Sequence, residues 1–195
     1  QVSGLARVLK LQAGRQHSCA LGEGGAVLCW GANDRGQLGD GGTEVRPLPA
    51  VVSGLGSGIS DIAANLHHGC ALLAVGTVRC WGDNFFGQLG NGSLIGSRVP
   101  VAVQGLDVPV ASLAAGYRHG CAVLSGGGRV ACWGMNFDGQ LGKGAISNRL
   151  TPQQVVGLDS GVLRAGLGFQ HSCAQRSGGA LLCWGDNSFG QLGTG

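Results

Sequence analysis

The histidines and cysteines of this sequence recur at a fixed spacing. Both residue types could bind a metal ion, and cysteines could also form disulfides. His17, His68, His119 and His171 are 51, 51 and 52 residues apart. Two residues after each histidine stands a cysteine, and a second cysteine follows 10 or 11 residues later. Imidazole and thiolate groups are common zinc ligands, and paired thiols can form disulfides. The sequence therefore contains four copies of one repeat, each with the same histidine and cysteine positions.

The two cysteines of each unit are placed to face each other across a β-hairpin. In the first unit, a turn centred on Gly24 brings Leu21 opposite Val27 and Cys19 opposite Cys29. Directly opposed Cβ atoms on antiparallel strands are about 4.5–5.5 Å apart, which is within reach of a disulfide. The third unit has one more residue in its turn. The sequence predicts four disulfides: Cys19–Cys29, Cys70–Cys80, Cys121–Cys132 and Cys173–Cys183.

Two other states of the thiols stay open at this point. Reduced cysteines could serve as small apolar core residues. Zinc could bind them, although each unit offers only two thiols and no Cys-x-x-Cys motif. Disulfides would indicate an oxidising compartment, so we expect an extracellular, periplasmic or cell-surface protein. The chain shows no signal-peptide pattern, and no apolar run approaches the ~20 residues of a membrane span.

The elements that must position these residues are short β-strands. The second unit reads GISDIAAN, HGCALL, TVRCWGDN and SRVPVAV, with glycine-rich turns between, and no segment combines helical periodicity with caps. Four strands in a repeat of about 50 residues are typical of a β-propeller, and a β-helical solenoid is the alternative. We predict an all-β propeller of four-stranded antiparallel blades, a single domain over residues 1–195 with repeats at 1–51, 52–102, 103–154 and 155–195.

The last repeat lacks the segment for an outer strand, so we expect fifteen strands. We expect the four units to be part of a larger ring, or a subunit that needs other blades. Open apolar blade edges would then be sites of self-association.

The composition excludes several classes of function. Charged residues make up 12% of the chain, the net charge is +3, and the 40 glycines follow the long repeat and not every third position. The sequence therefore has neither a basic stripe for nucleic acid nor a collagen pattern. A catalytic pair should occur once, whereas each motif here occurs four times. We predict that the protein is not an enzyme and needs no cofactor or metal.

The repeated aromatic and imidazole side chains are predicted to be structural. Each tryptophan should fill the interface between blades with its indole N–H bonded to a carbonyl, and each asparagine of the Trp-Gly-x-Asn motif should fasten a corner. Each histidine should fix the start of its own strand, although a ring of histidines around a channel could bind a metal. The structural set is Trp30, Trp81, Trp133, Trp184, His17, His68, His119 and His171.

Residues that vary between units are the candidate binding residues. They lie just before each histidine and just after each Trp-Gly corner, where variable loops on a rigid repeat commonly bind partners. Aromatic and arginine side chains dominate them, as in interface hot spots. Alternatively, phenylalanines such as Phe86 and Phe189 pack back against a neighbouring blade. The candidates are Arg15, Arg35, Phe85, Phe86, Tyr117, Arg118, Phe137, Phe169 and Phe189.

The repeat resembles that of the regulator-of-chromosome-condensation family. The segments AAGYRHGCAVL, ACWGMNFDGQLGKG and TPQQVVGLDSG carry the resemblance, which extends through all four units. It implies a ring of blades, usually seven, of which this sequence shows four. The paired cysteines look like those of secreted or surface-exposed bacterial members.

Taken with that resemblance, the residues favour a protein-binding scaffold. The family's founder is a nucleotide exchange factor for a small GTPase, so exchange activity is an alternative, but its acidic and histidine residues cannot be assigned to positions here. A carbohydrate-binding propeller is a second alternative, which the aromatic loops would permit.

The spacing of the cysteines across each hairpin makes a prediction that chemical labelling can test. Under denaturing, non-reducing conditions the chain should contain no alkylatable thiol, and peptide mapping by mass spectrometry should find each cysteine joined within its own unit. Eight reactive thiols, or bridges between units, would contradict it.

Overall fold

The fold consists entirely of β-strands arranged in four consecutive sheets. The computed structural model describes all residues, 1–195, and contains fifteen strands. The three complete sheets follow chain order, and the fourth has three strands. The strands are β1 (Val8–Ala13), β2 (His17–Gly22), β3 (Val27–Gly31), β4 (Arg46–Val51), β5 (Ile59–Asn65), β6 (His68–Leu73), β7 (Val78–Gly82), β8 (Ser97–Ala102), β9 (Val110–Ala115), β10 (His119–Leu124), β11 (Val130–Gly134), β12 (Arg149–Gln154), β13 (Val162–Leu167), β14 (His171–Arg176) and β15 (Leu181–Gly185).

This architecture confirms the predicted all-β propeller blades. Every pairing within a sheet is antiparallel between strands adjacent in sequence, as in a meander. There is no helix, and hence none that could span a membrane. The innermost strands lie side by side, with β5 between β1 and β9, and β13 next to β9.

The four predicted disulfides are confirmed. In each blade the cysteines occupy directly opposed positions of the two middle strands, as Cys19 and Cys29 do between β2 and β3. The third blade keeps this register despite its extra turn residue, because Cys121 still faces Cys132. The Cα atoms of each pair are 4.0–4.1 Å apart and no cysteine is free. The thiols are therefore neither reduced core residues nor zinc ligands.

The hydrophobic core lies between blades, not within one. The first cluster of buried residues joins Leu21 and Leu38 of the first blade to Ile62 and Trp81 of the second. Two further clusters fill the next two seams in the same way. Each blade is thus stabilised by its neighbours.

The same geometry joins three of the four tryptophans to the turn of the preceding blade. The indole N–H of Trp81 donates a hydrogen bond of 2.9 Å to the carbonyl oxygen of Gln37, and Trp133 does the same to Gln88. The ring of Trp81 lies against Gly39, where an added Cβ would be 2.8 Å from it. Gly39 also has a φ of +65°, which favours glycine. The tryptophan of each following blade therefore packs on the Gly-Gln-Leu-Gly turn and donates its hydrogen bond there.

This packing predicts that two tryptophan-to-alanine substitutions lower the free energy of unfolding by different amounts. Trp133 is completely buried with its N–H bonded, so Trp133→Ala should lower the free energy of unfolding by ~3–5 kcal/mol. Trp30 is half-buried and its indole N–H has no acceptor in the chain, which makes Trp30→Ala a matched control with a smaller loss. Urea unfolding measures both, and equal losses would contradict the prediction.

Candidate binding face

The two sets of variable loops lie on one face of the propeller arc. In a meander, the loop after the first strand and the loop after the third strand leave from the same end of the sheet. The first blade therefore presents residues 14–16 and 32–45 together, and the other blades repeat this arrangement. We call this surface the loop face. The hairpins between the second and third strands, such as residues 74–77, lie on the opposite face.

Backbone contacts tie the two loops of each blade into one rigid unit. The amide of Ala32 donates to the carbonyl oxygen of Gln16 at 2.8 Å, and the other blades repeat this bond. The glycine of each Trp-Gly pair makes this approach possible. Gly31 has a φ of +110°, and a Cβ there would lie 2.5 Å from the oxygen of Gln16.

Buried amide side chains fix the corner that follows. The side-chain oxygen of Asn84 accepts a hydrogen bond from the amide of Leu89, and that of Gln88 accepts from the amide of Phe86. Asn33, Asn136 and Asn187 repeat the first of these bonds. Because this frame is the same in each blade, the variable side chains project from a preorganised backbone.

Variable residues of neighbouring blades meet at the seams. The corner residue that precedes the turn glycine lies beside the residue that precedes the next blade's histidine. At the second seam, Phe86 lies under the guanidinium of Arg118, whose central carbon is 4.7 Å from the ring centroid. At the third seam, Gln170 donates a hydrogen bond of 2.6 Å to Asp138.

Aromatic side chains form a continuous patch over the second, third and fourth blades. Edge-to-face contacts link Phe86 to Phe85 at 5.0 Å and to Phe137 at 5.7 Å between ring centroids. Tyr117 stacks on Phe169 at 3.7 Å, and Arg118 joins the two groups because it also lies 5.0 Å from the Tyr117 ring. We call these residues the aromatic patch: Phe85, Phe86, Tyr117, Arg118, Phe137 and Phe169.

Exposure differs sharply among the predicted phenylalanines. Phe85 is 72% exposed, and Phe137 and Phe169 are each 56% exposed. Phe86 is only 9% exposed because it packs beneath Arg118, as the alternative interpretation expected. Phe189, at the same position of its repeat, is 93% exposed and lies outside the patch.

Two clefts open on the loop face. The larger, of about 530 Å³, is lined by the residue two places before the histidine in each blade: Arg15, Leu66, Tyr117 and Phe169. The smaller, of about 290 Å³, is lined by Arg35, His67, Asp83, Phe85 and Arg118. Sequence reasoning passed over His67 and Asp83. The sequence did contain an indication for His67, because it directly precedes the repeated histidine of its unit, as Arg118 does.

Three of the four repeated histidines belong to the buried frame, and His171 is partly buried. His68 and His119 are completely buried and His17 nearly so. Burial disfavours the protonated ring and lowers the pKa to about 4 for His17 and His68 and to about 3 for His119. The Nε2 of His119 lies 3.0 Å from the hydroxyl of Ser172, which donates to the Gln140 carbonyl, so Nε2 carries the proton. No three histidine, cysteine or acidic side chains converge on a possible metal position.

Comparison with known proteins shows the same repeat elsewhere. The family model described as "Regulator of chromosome condensation (RCC1) repeat" matches residues 24–72, 76–123 and 127–175. A second model of that repeat matches 8–37, 59–88, 110–140 and 165–191.

Individual relatives share most of this chain. The ultraviolet-B receptor UVR8 of Arabidopsis thaliana is 34% identical over 193 residues, which are 97% of this chain and 44% of the receptor. The crystal structure of human WBSCR16 has a TM-score of 0.84 at 26% identity, over 95% of this chain and 49% of that one. Yeast RCC1 (Prp20), solved bound to Kap60, has a TM-score of 0.85 at 22% identity, over 100% of this chain and 47% of that one. The chain thus spans about half the length of these proteins.

The lowered histidine pKa values predict a loss of stability in mild acid. The unfolded chain takes up protons on histidine below about pH 6.5, whereas the folded chain keeps His17 and His68 neutral to about pH 4. The unfolded state then binds more protons, so the free energy of unfolding should fall as the pH decreases from 6.5 to 4, by at most about 1.4 kcal/mol per pH unit for each histidine.

Urea unfolding between pH 7.5 and 4.5 tests this directly. The His17→Gln variant should show a shallower slope than the wild type in that window. Carboxylates with lowered pKa values, such as Asp40, lose their stabilising effect only below their usual value of 3.8 and so do not confuse the result. A profile that stays flat between pH 6.5 and 4.5 would contradict the prediction.

Proposed function

The chain belongs to the regulator of chromosome condensation (RCC1) repeat family, and from that premise we propose that it is a non-enzymatic scaffold that binds a partner protein on its loop face. Propellers of this family are, in general, protein-interaction scaffolds. The yeast relative was solved in complex with another protein, Kap60. The aromatic patch is the observation that carries the proposal for this chain.

The patch has the properties of an interface anchor. Phe85, Phe137 and Phe169 expose large apolar rings on a face whose backbone is fixed by buried amide and tryptophan hydrogen bonds. Because these rings are already ordered by ring–ring contacts, binding would cost little additional conformational entropy. Aromatic and arginine residues are also the side chains most enriched in hot spots.

The location of the reactive side chains supports a role without catalysis. The histidines His68 and His119 are completely buried, and the cysteines are joined in disulfides. These groups serve the frame and are not presented to a substrate. The loop face offers instead aromatic, cationic and amide side chains, which suit recognition.

We also propose that the protein works outside the cytoplasm, in the extracellular space, the periplasm or at the cell surface. Four disulfides, one in each blade, support this because they are stable in oxidising compartments. Each closes a short loop and would stabilise its blade by roughly 2–3 kcal/mol on the loop-entropy estimate.

The proposal predicts that one exposed ring can be removed with loss of binding but not of stability. Phe137→Ala should weaken binding of a partner captured from the native source by about thirtyfold, the equivalent of a 2 kcal/mol hot spot. Its melting temperature should stay close to that of the wild type, because Phe137 is more than half exposed. Isothermal calorimetry and thermal unfolding measure the two effects.

Val75→Ala is the matched control, since Val75 is 74% exposed on the opposite face. If Val75→Ala weakens binding and Phe137→Ala does not, the opposite face is the binding surface. Retention of the wild type on a glycan array, or nucleotide release from a small GTPase, would favour one of the two alternative functions instead.

A further inference from the structure

The smaller cleft of the loop face carries one cation, Arg118, that forms no ion pair within the chain. We name it the arginine cleft, lined by Arg35, His67, Asp83, Phe85 and Arg118. Arg118 forms no ion pair and no side-chain hydrogen bond, and its Nε is buried without an acceptor. The Nδ1 of His67 is likewise buried and unpartnered. No group of the chain uses the charge of the Arg118 guanidinium, so an anion that reached its terminal N–H groups would be stabilised there.

Arg118 is held in an orientation suited to such an acceptor. The central carbon of its guanidinium lies over the rings of Phe86 and Tyr117, at 4.7 and 5.0 Å from their centroids. These contacts fix the position of the group without using its N–H donors as hydrogen-bond partners. Those donors match the two oxygens of a carboxylate in a bidentate pair.

The carboxylates nearby already have hydrogen-bond or ion-pair partners other than Arg118. Asp83 accepts hydrogen bonds from the amide of Phe85 and from the side chain of Gln88. Asp34 accepts from Gln37 and lies 3.5 Å from Arg35. Burial lowers the pKa of His67, with Arg15 and Arg35 acting in the same direction and Asp34 and Asp83 against it, so its ring is neutral at pH 7. Neither carboxylate forms an ion pair with Arg118, so Arg118 is the unpaired cation of the cleft.

We propose that the arginine cleft binds an Asp or Glu side chain of the partner, followed by an apolar residue that packs on Phe85. This inference rests on the proposed scaffold function and names the chemistry of its partner: an acidic peptide segment. A cleft of about 290 Å³ lies at the small end of ligand sites, so it accepts one side chain and not a folded element. The exposed ring of Phe85 supplies the adjoining apolar contact.

A carboxylate suits the cleft better than a phosphate does. Asp83 forms part of the wall and would repel a dianion more strongly than a monoanion. The chain as a whole is only mildly basic, with 13 Lys and Arg against 10 Asp and Glu. A phosphopeptide is therefore the disfavoured ligand, and the experiment includes it.

The test uses three short acetylated peptides with a Gly-Ser background and one central pair, Glu-Leu, Gln-Leu or phosphoserine-Leu. Binding to the whole chain is followed by NMR titration, observing the arginine Nε–Hε resonances. The Glu-Leu peptide should bind in the millimolar range and shift the Arg118 resonance, and the Gln-Leu peptide should bind about tenfold or more weakly. No saturable binding of Glu-Leu, equal binding of Gln-Leu, or a preference for phosphoserine would overturn the proposal.

Variants of the chain complete the test. Arg118→Gln should abolish the preference for Glu-Leu, and Arg118→Lys should reduce it because a lysine cannot form the stacked bidentate pair. Arg79→Gln removes an equal charge at an exposed position outside the cleft and should keep the preference. Arg118→Gln with unchanged peptide binding would refute the inference.

The partner captured from the native source separates this inference from the proposed function. If Phe137→Ala weakens that complex while Arg118→Gln does not, the scaffold function stands and the carboxylate site is wrong. If neither variant weakens it, the loop face is not the binding surface and the proposed function itself fails.

Discussion

The hydrogen bond from a buried tryptophan to the turn of the preceding blade is the interaction on which this structure depends. It occurs at three successive seams, with Trp81, Trp133 and Trp184 as donors. The bond fixes the Gly-Gln-Leu-Gly turn of one blade relative to the sheet of the next. The same turn carries the corner that positions the variable loops. Blade packing and the shape of the loop face therefore have one common origin.

The sequence made the contacts within a blade predictable because they are local. Counting outward from a turn was enough to pair Cys121 with Cys132, even with an additional residue in that turn. Antiparallel register is set by the hairpin itself, so nothing distant had to be known. The fold class followed from the same local patterns repeated four times.

Contacts between blades were much less accessible to sequence reasoning. Phe86 and Phe189 occupy the same position of the repeat, yet one is buried under Arg118 and the other is almost fully exposed. Phe86 is covered by a side chain of the following blade, about 30 residues farther along the chain, whereas Phe189 lies in the last of the four blades, so the two positions have different neighbours. Sequence reasoning named Arg35, Phe85 and Arg118 one by one but not the cleft that they form, because its walls come from three blades and include His67 and Asp83.

The seams also limit how units of this protein can be exchanged. The hydrogen bond from tryptophan to the Gly-Gln-Leu-Gly turn is the same at three seams, whereas other buried residues of the joint differ, since Ser172 stands where Gly69 and Gly120 stand in their units. The paired surface residues are not interchangeable: Phe86 suits Arg118, and Asp138 suits Gln170. A rearranged chain that set Asp138 beside Arg118 would gain an ion pair and lose the free guanidinium, whereas Arg35 beside Arg118 would bring two cations together. A change in the order of units would thus change the chemistry of the surface, so recombination between repeats is a route to new specificity in a chain built this way.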